Sequence, residues 1–347
     1  MATSTRPTAV ANPNGLSISQ RVADFAANLT WDDVPAAVRE RSKYLILDAV
    51  GIALAAARFE FAQVFLAGLN GIGEAGASSV IGLPDKLPLR DAAIMNGALA
   101  HGLDFDDTHM QAVVHATAAT LPAALTMGEK VDASGQDMLL SYIVGMEVAI
   151  RIGVASNFGF HHNGLHATGI AAHFASALIA GRLIGLDAHG LTMAQGIVGS
   201  TAQASQQFVD DGAWNKRLHP GWGAAAGITA AYLAQGGFVA PRQPYEGRFG
   251  LYQTLTKADT VTDPEAIAAD LGSRWEGTES AIKPYPTCHF THAIADAALE
   301  IQRRHAVQAS DIARIRALLP ADVIPIVVEP VANKRRPVSD YDAKFST

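Results

Sequence analysis

Residues 223–227 read Gly-Ala-Ala-Ala-Gly and lie inside a predicted helix from Gly221 to Gln235, which Gly236 and Gly237 close. Small side chains let the backbones of packed helices approach each other closely. Several other predicted helices share this richness in Ala, Gly and Ser. The stretch therefore predicts a buried, tightly packed helical bundle.

Helical periodicity extends outward from this stretch and dominates the chain up to about residue 270. At the N-terminal side, the apolar residues of one helix face are Ile18, Val22, Phe25, Ala26 and Leu29. The other predicted helices cover residues 35–57, 89–102, 116–130, 136–153, 167–184 and 188–206, and a short strand is predicted at 78–83. Ser134 and Asp187 stand where N-caps are expected.

The pattern changes after Gly272. A proline-stiffened stretch from Lys283 to Cys288 leads into a predicted helix over 289–304, and alternating residues then predict strands at 312–319 and 324–328. We therefore predict a mainly α protein with a large all-helical domain, residues 1–272, and a smaller α/β (α+β) lid domain, residues 273–347. The lid is expected to be incomplete at its C-terminal end.

Composition excludes several classes of function. Hydrophobic residues make up 49% of the chain and charged residues 17%, with a net charge of −7 and scattered Lys and Arg, which argues against nucleic-acid binding. The single cysteine, Cys288, permits no intrachain disulfide and suits the cytoplasm. Residues 1–15 contain no apolar core of signal-peptide length, and no run is long and apolar enough to predict a membrane span.

The densest polar segment is residues 101–109, which contains three carboxylates and two histidines, followed by His115. The carboxylates Asp104, Asp106 and Asp107 are suited to orient histidines, and an imidazole transfers protons near neutral pH. A solvated turn with helix caps is the alternative. A metal site is a rival chemistry, although the spacing matches no strong metal signature.

Three more polar clusters precede predicted helices. His166 ends a group of three histidines within residues 161–166, although a single histidine there could simply cap a helix or lie in the core. Lys216 precedes His219, and Lys283 precedes His289, each just before a predicted helix start. Such starts favour anions, so this arrangement suits a ligand with two or more carboxylates, unless the lysines are surface features.

Four motifs, taken together, resemble the MmgE/PrpD family. In chain order they are Asp104-Phe105-Asp106-Asp107-Thr108, Gly164-x-His166-x-Thr168-Gly169, Lys216-x-x-His219-x-Gly221 and Lys283-Pro284-Tyr285-Pro286-Thr287-Cys288. The resemblance runs from the first helices to residues 342–346. That family includes 2-methylcitrate dehydratase, cis-aconitate decarboxylase and iminodisuccinate epimerase.

The resemblance implies an all-helical domain and an α/β lid with the active site between them, usually in a homodimer, and catalysis without metal or organic cofactor. The positions that match residues lining the site in the family are Asp104, Thr108, His115, His166, Lys216 and Lys283. Two departures are visible: His115 lies one residue further from Asp104 than in the decarboxylase, and Cys288 stands where the decarboxylase has histidine. Family members also continue beyond residues 342–346, so we expect a truncated or short form.

We therefore expect a cofactor-independent lyase, more specifically a hydro-lyase, that dehydrates (or decarboxylates) a small di- or tricarboxylate such as a 2-methylcitrate-like acid. The expected catalytic residues are Asp104, His115, His166, Lys216 and Lys283, and the expected substrate-binding residues are Thr108, His219, Cys288 and His289. An epimerase or racemase of a dicarboxylate such as iminodisuccinate is one alternative. An inactive ligand-binding or oligomerising homologue is the other.

Overall fold

The structure is a computed structural model that describes residues 15–73 and 75–347. The polar stretch over which no signal peptide is predicted lies almost wholly outside these residues. The helices are α1 (Ile18–Asn28), α2 (Ala36–Ala56), α3 (Glu60–Ile72), α4 (Leu89–Ala100), α5 (Ala116–Lys130), α6 (Gly135–Ser156), α7 (Gly159–His162), α8 (Ala167–Leu183), α9 (Ala188–Val198), α10 (Phe208–Asp211), α11 (Asn215–Gln235), α12 (Leu251–Leu255), α13 (His292–His305), α14 (Ile324–Val327), α15 (Val331–Arg335) and α16 (Asp340–Ala343). Short 3-10 helices span Pro264–Ile267, Glu276–Glu279, His289–Thr291, Ala309–Asp311 and Ala321–Val323.

The strands of the described part form one small antiparallel pair, β1 (Ser78–Ser79) and β2 (Lys86–Leu87), with Ser78 opposite Leu87. The predicted mainly α fold is thus confirmed, whereas the strand predicted over 78–83 is confined to its first two residues.

Helix α8 is the centre of the bundle, because every residue from Ala167 to Gly181 is buried. It packs against α5, α6 and α11. The small residues of α11 explain this closeness: a Cβ atom on Gly227 would lie 2.5 Å from the backbone nitrogen of Ala177. The tightly packed bundle predicted from residues 223–227 is confirmed.

One helix of the described residues, α6, is long and apolar enough to cross a membrane, but 89% of its apolar window is buried inside the fold. A buried core helix of a helical bundle satisfies the same length and composition test.

Local signals predicted several helix ends correctly. Helix α5 has the predicted bounds, and the Ser134 and Asp187 side chains cap α6 and α9 by accepting hydrogen bonds from backbone N–H groups. Helix α9 ends at Val198 rather than at residue 206, because Ala204 O accepts a hydrogen bond from the backbone N–H of His166, 2.8 Å away. Residues 204–206 thus pair with the segment before α8 instead of continuing the helix.

Helix α11 begins at Asn215, six residues before the predicted start. The predicted arrangement, in which Lys216 precedes a helix start, is therefore wrong in detail. Lys216 lies within the first turn of α11, and Pro220 is accommodated inside the helix.

The residues from 281 to 347, here called the C-terminal segment, differ most from prediction. Residues 314–319 have no assigned secondary structure and are exposed apart from half-buried Leu319, and no backbone hydrogen-bond partner for them exists within the described chain. A strand needs such a partner, so the predicted strand over 312–319 is wrong. The strand predicted over 324–328 is wrong too: α14 forms there, because helical spacing buries Val323 and Val327 beside Tyr341 and Phe345. The domain division at residue 272 stays a prediction.

The contacts that attach the C-terminal segment to the bundle include the following. The backbones of Thr108 and Ala281 exchange two hydrogen bonds of 3.0 Å. The Lys344 ammonium donates to the carbonyl oxygen of Leu103, 2.9 Å away. The Arg217 guanidinium of α11 lies 4.0 Å from the ring centroids of both Phe61 and Tyr341.

Helices α4 and α11 touch through two glycines. A Cβ atom on Gly97 would lie 2.3 Å from the Cα atom of Gly221, and one on Gly221 would lie 2.2 Å from the carbonyl oxygen of Ile94. These neighbours are backbone atoms, which cannot move aside without separating the two helices. The crossing therefore has no room for even one methyl group.

We predict that Gly97→Ala destabilises the fold by about 1–3 kcal/mol, the usual cost of overpacking, as measured by urea unfolding. Gly51→Ala is the matched control, because the exposed Gly51 of α2 has open space where its Cβ atom would lie. That variant should gain about 0.5–1 kcal/mol from helix propensity. Equal free energies of unfolding for the two variants would contradict the close crossing.

The carboxyl of Asp107 anchors the start of α5. It is buried, and its Oδ1 accepts a hydrogen bond of 3.2 Å from the backbone N–H of Thr117, whose hydroxyl bonds to that of Tyr142. Its Oδ2 has no partner among the described residues. Burial raises the pKa of Asp107 to about 7, with a further contribution from the neighbouring Asp106.

A folded pKa above the unfolded value of 3.8 means that protonated Asp107 contributes stability that is present below that value and is lost as the pH rises through about 7. Asp107→Asn resembles the protonated acid at every pH. We predict that its melting temperature exceeds that of the wild type at about pH 8 and matches it at about pH 4. A difference that does not change with pH would contradict a raised pKa.

Candidate active site

The polar segment between α4 and α5 forms a tight turn with two unusual backbone conformations. Asp104 has φ of 58° and Val113 has φ of 51°, both in the left-handed region. Such a conformation costs about 1–3 kcal/mol for a residue with a side chain, so the surrounding structure must impose it. Asp104 is the charged centre described next, and Val113 lines the cavity next to it.

Asp104 is a completely buried carboxylate with two ammonium partners. Its Oδ1 pairs with Lys216 of α11, and its Oδ2 lies 3.4 Å from the ammonium nitrogen of Lys283. Lys283 also donates to the backbone oxygen of Asp104 at 2.6 Å. Burial alone would raise the pKa of Asp104, but the two ammonium groups outweigh it and hold the pKa well below its usual range. Burial likewise opposes the charge of Lys283, yet Asp104 and Asp106 raise its pKa.

Asp106 is a second buried carboxylate, and it holds two imidazoles. Its Oδ2 lies 2.7 Å from His101 Nδ1 and 3.3 Å from His115 Nδ1. Burial lowers the pKa of His115 to about 4, although Asp106 opposes this shift. His115 is therefore a neutral imidazole at neutral pH. Its backbone N–H donates to the Thr168 hydroxyl, 3.1 Å away, at the start of α8.

His166 lies beside these rings at the N-terminal end of α8. Its ring stacks on that of His101, with centroids 5.5 Å apart and an angle of 14° between the planes. Its Nδ1 lies 3.1 Å from His219 Nδ1, so one ring donates and the other accepts. Burial, followed by the charge of Lys216, lowers the pKa of His166 well below its usual value.

A small cavity of about 50 Å³ joins these groups. The predicted site residues that line it are Thr108, His115, His166, Lys216, Lys283, Cys288 and His289. Asp104 lies behind the lysines and His219 behind His166, and neither lines the cavity. The sequence clusters therefore converge on one place, between the bundle and the C-terminal segment.

Cys288 contributes a buried thiol to this cavity. Its backbone N–H donates to the carbonyl oxygen of Lys344, 2.9 Å away. Burial raises the pKa of the Cys288 thiol, with Asp104 adding to the effect. The thiol is thus protonated at neutral pH and is not poised as a nucleophile.

Other cavity residues were not among the predicted site residues. His161 belongs to the histidine group of residues 161–166 that the sequence singled out, so it could have been predicted as a site residue. Val113, Gln206, Phe208 and Phe345 also line the cavity. Nothing in their local sequence marks them, because only the folded chain brings them there.

The arrangement can carry acid–base chemistry on an anion. Neutral imidazoles accept protons, and two ammonium groups stabilise negative charge that develops next to them. The site can also hold a metal: one ring nitrogen each of His101, His115 and His166 lies within 4.8 Å of the other two. We call these three side chains the imidazole triad.

Comparison with known proteins identifies relatives of this chain. Cis-aconitate decarboxylase of Aspergillus terreus (strain NIH 2624 / FGSC A1156) is 32% identical over 298 residues, which cover 83% of this chain and 61% of the relative. The human cis-aconitate decarboxylase is 30% identical, over 95% of this chain and 68% of the relative, and the mouse protein of the same name is 28% identical. The chain thus spans less than two thirds of the length of its Aspergillus relative.

Two family descriptions match the sequence in succession. The MmgE/PrpD N-terminal domain matches residues 20–263, and the MmgE/PrpD C-terminal domain matches residues 285–347. These matches cover most of the chain and agree with the resemblance of the four motifs. The chain belongs to the MmgE/PrpD family.

Proposed function

We propose that this protein is a lyase that acts on a small tricarboxylate, with decarboxylation of a cis-aconitate-like acid as the first candidate reaction. The observation that carries the proposal is the convergence of Lys216, Lys283, His115 and His166 on one buried cavity. Relatives named for cis-aconitate decarboxylation, matched over most of this chain, support the choice of reaction.

The two lysines supply the anion-binding part of the site. Both are buried and both contact Asp104, so their ammonium groups are fixed in position. Substrate carboxylates would share these cations with Asp104. Preorganised cations of this kind stabilise the negative charge that builds up beside a carboxylate during the reaction.

The imidazoles supply the proton transfers. In decarboxylation the carbon–carbon bond to one carboxylate breaks, CO2 leaves, and the electron pair that remains takes a proton from an imidazolium or from water that an imidazole positions. In dehydration a neutral imidazole removes the proton next to a carboxylate, and a second acid protonates the departing hydroxide. His115 and His166, with ring centroids 6.1 Å apart, suit these paired roles.

Dehydration is the second candidate because of Cys288. By resemblance, the decarboxylase has a histidine in the corresponding motif, and the thiol of Cys288, protonated at neutral pH, does not offer the proton acceptor that an imidazole would. A 2-methylcitrate-like acid is the corresponding substrate.

Substrate binding requires the site to open. A cavity of about 50 Å³ holds only a few water molecules, since each needs about 10–15 Å³ by this measure. We therefore infer that the part of the C-terminal segment beyond Cys288 moves away from the bundle to admit a tricarboxylate, while Lys283 stays paired with Asp104. The contacts of Lys344 with Leu103 and of Arg217 with Tyr341 are among those that must break.

The reaction itself is tested by NMR in D2O with cis-aconitate and 2-methylcitrate in parallel. We expect CO2 release and a deuterated dicarboxylate from the first substrate. A new alkene and no CO2 from the second would instead identify the dehydratase. Deuterium exchange without any new product would indicate an epimerase and would contradict the lyase, as would ligand-dependent thermal stabilisation with neither exchange nor product.

We predict that His166→Gln lowers kcat by about 100- to 10,000-fold, the usual contribution of a positioned proton-transfer group. His173→Gln is the matched control, because His173 lies buried on the same helix, bonds to the backbone oxygen of Gly169 and does not line the cavity. This control should keep most of the turnover. Unchanged kcat in a folded His166→Gln protein would remove His166 from the mechanism.

A further inference from the structure

We propose that the imidazole triad, His101, His115 and His166, is a binding site for a divalent transition metal of the Zn2+ class, and that an ion bound there blocks turnover. Metal binding is independent of the reaction assigned above. Only the inhibition rests on the proposed function, because the ion would occupy the same nitrogens that transfer protons.

The first observation is the spacing of the nitrogens. One nitrogen from each ring lies within 4.8 Å of the other two, and all three residues are buried. Nitrogen ligands of Zn2+ lie about 2.0–2.1 Å from the metal in tetrahedral geometry. Ligand nitrogens at that distance lie about 3.4 Å from one another, so the three rings must approach each other by at most about 1.4 Å to hold one ion. Imidazole is also the ligand that Zn2+, Cu2+ and Ni2+ share.

The second observation is a set of buried ring nitrogens without partners. The Nε2 atoms of His101 and His166 are buried and have no hydrogen-bond partner among the described residues. Buried polar atoms of this kind usually bind a partner, which can be water or an ion. The nearest carboxylate oxygen to His115 Nε2 is that of Asp104, at 3.9 Å, which is too far for a hydrogen bond.

The third observation is that the opposite nitrogen of every triad ring is already held. Asp106 lies against the Nδ1 atoms of His101 and His115, and His219 lies against that of His166. Metal-binding histidines typically use one nitrogen for the ion while a carboxylate or another group fixes the other. The triad resembles this arrangement: each Nδ1 atom has such a neighbour, and the buried Nε2 atoms of His101 and His166 remain without a partner among the described residues.

The neighbouring lysines limit the affinity. Lys216 and Lys283 repel a cation, but both are paired with Asp104. Since Asp104 and Asp106 formally balance the two ammonium charges, the pocket itself is neutral before an ion binds. We therefore expect reversible binding rather than a structural metal centre.

The test is a titration of the whole chain, freed of metal with a chelator, with Co2+, whose visible absorption reports coordination by nitrogen. We expect one equivalent of Co2+ to bind, Zn2+ to displace it, and His101→Asn and His166→Asn each to abolish the signal. Asp106→Asn should weaken binding by about 10- to 100-fold, as is usual when the group behind a metal-binding histidine is changed.

Two controls distinguish the triad from other histidines. His173→Asn removes a buried imidazole outside the triad, and His292→Asn removes one ring of the His289–His292 pair, whose centroids are 4.7 Å apart. Both variants should bind Co2+ like the wild type. No Co2+ signal in the wild type, or a signal that survives in folded His101→Asn and His166→Asn proteins, would overturn the proposal. Neither result depends on catalytic activity, and a protein that binds Co2+ but shows no turnover even when it is free of metal would contradict only the lyase.

Discussion

The burial of the Asp104 carboxylate is the constraint on which the rest of the structure depends. A buried charge is expensive unless it is paired, and removing one partner of such a pair is strongly destabilising. The partners of Asp104 come from residues 216 and 283, which lie in a bundle helix and in the C-terminal segment. One carboxylate therefore fixes the relative positions of three distant parts of the chain, and the backbone of Asp104 accepts a left-handed conformation in order to reach both.

This constraint also sets the chemistry of the site. Because Asp104 pairs with both lysines and Asp106 supplies a second negative charge nearby, the cavity can be closed without leaving an unpaired cation. The rings of His115 and His166 remain uncharged because burial lowers their pKa values, while Asp106 fixes His101 and His115 from behind. Ammonium groups and proton acceptors therefore line the same buried cavity. The same combination accounts for both proposals, since a lone pair that accepts a proton can also bind a metal.

Much of this could be predicted from the sequence, and the failures have physical causes. The bundle followed from small residues at helical spacing, and the site followed from polar groups between apolar helices, as at His115 and His166. Alternation over residues 312–319 predicted a strand, but a strand also needs a hydrogen-bonded neighbouring strand. The alternation of residues in one segment does not reveal whether such a neighbour exists. The early start of α11 was not predicted, because a proline such as Pro220 is typical of the first turn of a helix. Phe345 and Gln206 reach the cavity only through tertiary packing, and nothing in the sequence around them indicates a site residue.

Lys216 and Arg217 are neighbours on α11, yet Lys216 pairs with a carboxylate of the bundle whereas Arg217 also contacts the C-terminal segment. Lys216 pairs with Asp104, whereas Arg217 is clasped between an aromatic ring of the bundle and Tyr341. Release of Tyr341 would loosen the first turn of α11 and with it the ammonium next in sequence. The position of the C-terminal segment thus affects, through the first turn of α11, how firmly Lys216 binds a carboxylate.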